Sequence, residues 1–197
     1  MTRIVRRLVL AALVAGGAVA GAQPASQLDL PNIRQLGAAL AEYQDLAVHA
    51  VAAYYYSQRN HDSAWLLVEI GVTGPASLTI RRTEIALVTP SGVPVPLATQ
   101  ERWGGDTTRG RLLLQQARPT RHQLRTYFPG LRGSETLRFF GRPEVGDTVI
   151  DAVESAPDQL IHGDLLFESP TGAWSRGRHV LLVGLDDGPV RLPIDLR

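Results

Sequence analysis

The chain contains no cysteine and no lysine; all 20 of its basic residues are arginine. Without cysteine there is no disulfide framework, no thiolate metal ligand and no thiol nucleophile. Without lysine there is no Schiff-base amine and no Walker-type phosphate lysine. The sequence also lacks a Gly-x-Ser-x-Gly elbow, a His-Glu-x-x-His pair, a glycine-rich phosphate loop and a calcium loop. No cofactor is implied by any motif. Charge of one sign is not in excess either: the formal net charge is +1, which argues against a globally basic nucleic-acid binder.

What is present first is an export pattern. Arg3, Arg6 and Arg7 precede an uncharged, mostly apolar run from Leu8 to Ala20, and Ala20-Gly21-Ala22 has the small-x-small form of a cleavage site. The run is short of the roughly 20 apolar residues of a membrane-spanning helix. Residues 1–22 are therefore expected to be a signal peptide, with cleavage after Ala22 and a periplasmic or secreted product. The remaining chain carries 17 arginines against 19 acids. Its length suits one domain that buries about 70% of its unfolded surface without covalent staples. A composition 44% hydrophobic and 20% charged is that of a globular chain.

Residues 23–47 are expected to form an N-terminal segment with a helix. Ile33, Leu36, Leu40, Tyr43 and Ala47 recur at steps of three and four, which predicts a helix from about Pro31 to Asp45. From residue 48 to 197 the pattern is that of strands. Val48–Ser57 and Trp65–Thr73 are rich in β-branched and aromatic residues and flank a polar loop. Thr83–Val88 and Val93–Ala98 flank the turn Thr89-Pro90-Ser91-Gly92. Pro94 and Pro96 remove two amide donors from one side of their strand, which places it at a sheet edge. Further strands are expected at 135–140, 148–153, 163–168, 179–185 and 190–194. A helical insertion interrupts them at about 107–128: one helix through Gln116, and a second opened by a Thr120/Gln123 capping box. The fold class expected is mainly β, an antiparallel immunoglobulin-like β-sandwich with an N-terminal helix and a short helical insertion. The Cys…Trp…Cys spacing of antibody-type domains is absent.

Charge is unevenly placed along the chain. Residues 107–143 hold eight arginines and one acid, whereas 144–197 hold ten acids and four arginines. A basic surface of this kind meets an anion, because the arginine fork grips phosphate or carboxylate at two points. Arg109, Arg111, Arg118, Arg121 and Arg125 are the candidate contacts to an anionic envelope component or an acidic protein. The competing expectation is that the insertion packs near the acidic part and the charges answer each other. Tyr54, Tyr56 and Trp65 are a weaker candidate, an aromatic platform for sugar rings, against burial in the core. Trp103 and Trp174, beside glycines, are expected to plug the ends of the sandwich. His162 and Asp164 share one side of a strand, a pair that needs a third ligand such as His179 or His61 to hold a metal; no metal site is assigned.

Glu69, Glu84, Glu101 and Glu168 are scattered acids, with Glu69 and Glu84 expected to face outward. These features favour an exported, non-catalytic binding or structural module of the bacterial envelope. The alternative is an envelope hydrolase or carbohydrate-active enzyme with a dispersed site.

Overall fold

The computed structural model describes residues 23–55, 63–141 and 148–197. The expected signal peptide and Tyr56 lie outside the described residues. The protein is mainly β, with twelve strands among the described residues: β1 Ile33–Gly37, β2 Leu40–Gln44, β3 His49–Tyr54, β4 Trp65–Thr73, β5 Leu78–Arg81, β6 Ile85–Val88, β7 Pro94–Pro96, β8 Gly133–Leu137, β9 Ala152–Ser155, β10 Gln159–Glu168, β11 Gly177–Val183 and β12 Val190–Leu196. They form a six-stranded sheet in the order β1-β2-β3-β4-β10-β8, a four-stranded sheet β12-β11-β6-β7 and a pair β5-β9. All pairings are antiparallel except β10 with β8, which is parallel.

The two larger sheets share one core. Val68, Ile70 and Val72 of β4 and Ile161 and Leu165 of β10 meet Leu87 of β6, Leu181 of β11 and Ile194 of β12. Alternation puts these residues on one face of each strand. The opposite face of the six-stranded sheet is also covered. There the insertion supplies two helices, α1 (Gln100–Gly105) and α2 (Thr107–Ala117), then short 3-10 turns at Arg118–Thr120 and Leu124–Tyr127. Trp103, Leu113 and Ala117 pack on Trp65, Leu67 and Leu166. Leu124 and Phe128 pack on Val51, Ala53 and Leu160. This double covering is why every residue of β4 is buried and why its sequence is almost continuously apolar.

The edge expected at Pro94 and Pro96 is observed: among the described residues β7 is the outer strand of the four-stranded sheet and pairs with β6 alone. The helix expected at 31–45 is not. That stretch is a hairpin, β1 with β2, closed by Ala38 and Ala39 and entered through Asn32 at φ 62°. A stripe at steps of three and four also fits a tight hairpin, and β2 pairs with β3 along its whole length. That ladder overrides the helical preference of Ala38, Ala39, Leu40 and Ala41. Asp45, placed at the end of the expected helix, instead organises the next turn. Its carboxylate accepts from the amides of Ala47 and Val48 at 2.8 and 2.7 Å. The insertion helix starting at 107 is present; the capping box at Thr120 is not, because the Thr120 hydroxyl donates to the Ala117 carbonyl at 3.1 Å. The strand expected at 148–153 begins later, at Ala152.

Candidate functional site

A groove of about 660 Å³ lies between the insertion and the outer face of β10 and β8. Its floor follows from strand register. Glu69 stands directly opposite Asp164, Leu67 opposite Leu166, and Gly71 opposite His162. Opposed residues in an antiparallel pair project to the same side. His162, Asp164 and Leu166 therefore present imidazole, carboxylate and hydrocarbon in succession along β10. Thr136 lies beside His162 in the parallel register of β8.

Two carboxylates opposite one another repel, and the insertion answers that repulsion with Arg121. Its Nε lies 3.2 Å from Glu69 Oε1 and its Nη2 lies 2.6 Å from Asp164 Oδ2. The Tyr55 hydroxyl donates to Glu69 Oε2 at 3.5 Å. Glu69 is 8% exposed, and burial raises its carboxyl to about 7 against the pull of Arg121. The Tyr55 phenol is likewise raised by burial, with Glu69 adding to the rise. His162 is shifted the other way: burial, then the nearby Arg125, disfavours its protonated form.

The wall is fixed to the sheet at several points. The Trp65 indole N–H donates to Asp106 Oδ2 at 2.9 Å. Arg102 pairs with Glu168 on β10, and the Ala98 amide donates to the Leu166 carbonyl at 3.0 Å. Arg82 reaches the carbonyls of Phe139 and Ala98 and lies 4.6 Å from the Phe140 ring centre. Phe128 sits over Gly71, where a Cβ would come within 2.6 Å of its ring. Trp103 and Phe140 meet edge to face at 6.2 Å and line the apolar end with Leu114 and Leu166.

The five candidate arginines separate into different roles. Arg121 is a clamp on two acids rather than a free anion contact. Arg109 lies 3.7 Å from Asp106 within the insertion. Arg111 is exposed on α2. Arg118 and Arg125 are exposed and form no ion pair with another described residue; Arg125 lines the groove. The pairs Arg121–Asp164 and Arg102–Glu168 join the insertion to the acidic C-terminal part, so the charges do partly answer each other. Sequence reading placed Glu69 facing outward, which is right for the strand. The insertion then covers it. The signal for this was a lone acid within nine otherwise uncharged residues of β4.

The aromatic platform is corrected. Tyr54 is in the shared core with its hydroxyl donating to the Ala38 carbonyl at 3.0 Å, and Trp65 is fully buried under the insertion. Large rings on strands covered on both faces are held by packing. Trp103 and Trp174 are both buried, the latter donating its N–H to the Ala64 carbonyl at 3.2 Å. His162 and Asp164 do share a face, but His179 is in the interior beside Trp174 and His61 lies outside the described residues. Among the described residues no three His, Asp or Glu side chains gather as a metal-binding group. The chain matches no protein-family model, no curated protein and no solved structure.

Proposed function

We propose that the protein is an exported module of the bacterial envelope that binds an anionic partner at the face carrying the insertion. The export pattern of residues 1–22 supports the location. An immunoglobulin-like sandwich is the scaffold proposed, supported by two multi-stranded sheets that share one core. The observation that carries the binding role is the groove. It is concave, falls in the roughly 300–1,000 Å³ range of small-ligand sites, and bears an exposed arginine, Arg125, on its wall. Arg118 extends the positive surface from the end of α2.

The hydrolase alternative rests on Glu69 and Asp164, two carboxylates on one face of the groove. Arg121 contacts an oxygen of each, and the group then reads as a clamp joining insertion to sheet. The test is retention of the purified protein on a sulfonated matrix across a salt gradient. An Arg118→Gln/Arg125→Gln variant with an unchanged circular dichroism spectrum should elute at lower salt. Elution at the same salt refutes the assignment. Cell fractionation, with the mass of the recovered chain beginning at Gln23, tests export.

A further inference from the structure

We infer that the groove takes a monoanionic amphiphile, with an acid head group between Arg125 and His162 and an apolar body along Leu114, Leu166, Phe140 and Trp103. The inference rests on the anion-binding reading above and specifies its ligand.

Three zones succeed one another along β10. At His162 the polar groups are donors: the imidazole N–H, the Arg125 guanidinium and the hydroxyl of the neighbouring Thr136. No described acid pairs with Arg125, so its positive charge faces the cavity without an answer from another described residue. An oxyanion fits here, since a hydrogen bond to a charged donor is stronger than a neutral one. At the centre, Asp164 is held by Arg121 at 2.6 Å. Its charge is already matched, so it attracts no ligand cation, and the one guanidinium left to the head group, that of Arg125, balances a single negative charge such as a carboxylate carries. At Leu166 the lining turns apolar and aromatic. Alternate residues of a strand stand about 6.7 Å apart, so His162 and Leu166 are separated by roughly 13 Å. A compact anion would fill only one end. A hydrocarbon or aromatic tail fills the other and gains burial along that length.

The experiment is calorimetric titration of the purified protein with decanoate, acetate, decyltrimethylammonium and phosphatidylglycerol vesicles. Decanoate should bind one per chain, at least tenfold more tightly than either acetate or the cation of equal tail length. Arg125→Gln should weaken decanoate about tenfold or more, the effect of one lost charge-assisted contact. Leu114→Gln should weaken decanoate and leave acetate unchanged. If Leu114→Gln does not fold, the comparison of the three soluble probes on the unaltered protein decides the matter alone. Decanoate no tighter than acetate, equal binding of the cation, or an unchanged affinity in Arg125→Gln overturns the inference. Salt-sensitive binding of vesicles without binding of monomeric decanoate overturns it too, while leaving the anion-binding reading in place. If no anion binds, both fail.

Discussion

Replacing Glu69 by glutamine keeps the shape of the side chain and removes its titration. In the folded protein, burial lifts this carboxyl from an ordinary 4.5 to about 7, despite Arg121. The native state therefore holds the proton more tightly than the unfolded chain does. Stability from this proton is fully present below about 4.5 and is lost as pH rises through 7. Between pH 5 and pH 8 the loss is roughly 2–3 kcal/mol, at about 1.4 kcal/mol per pH unit. Glu69→Gln lacks that dependence. The attraction of the ionised carboxylate to Arg121 is already contained in the folded value of about 7, so it adds no separate pH dependence. His162 and His179 titrate in both proteins and cancel to first order in the difference. The assay is urea unfolding followed by circular dichroism at pH 5 and pH 8, extrapolated to water. The stability of Glu69→Gln minus that of the unaltered protein should rise by roughly 2–3 kcal/mol from pH 5 to pH 8. A difference constant to within about 0.5 kcal/mol, or one that falls, would refute the account of the clamp.

His179 gives the opposite slope. It is fully buried with Nε2 unpartnered among the described residues, and burial disfavours its protonated form. Its contribution is present above about 6.5 and is lost as pH falls toward the folded-state value. His179→Phe should lose less stability than the unaltered protein between pH 7.5 and pH 5 in the same urea assay; an equal loss excludes His179 as the cause. Gly163 lies on β10 where a Cβ would fall 2.7 Å from the Leu137 Cβ and 3.0 Å from its carbonyl. Gly163→Ala should destabilise by about 1–3 kcal/mol through overpacking, seen as a lower thermal midpoint. An unchanged midpoint would show that β8 yields at no cost.

Sequence reading succeeded where one physical cause dominated. β4 is found at its expected bounds because burial on both faces leaves a dense apolar run. Pro94 and Pro96 mark an edge because proline has no amide hydrogen to give a ladder. The β1–β2 hairpin was missed because its apolar spacing fits a helix as well, and only pairing with β3 separates the two. α1 and β5 were missed because they are short, and β5 is held by β9, a partner distant in the chain. The site was legible in fragments. Period-two spacing put His162 and Asp164 on one side, and local charge drew attention to Arg121 and Arg125. What joined them was not legible. Arg121 meets Asp164 from 43 residues away, and neither residue announces the other.

The proline-bearing rim has a consequence for assembly. At 94 and 96 it offers a neighbouring molecule carbonyls but no amide hydrogens, so stacking of further chains on that side lacks half of its bonds. A filament or dimer built by main-chain pairing would have to grow from a different flank.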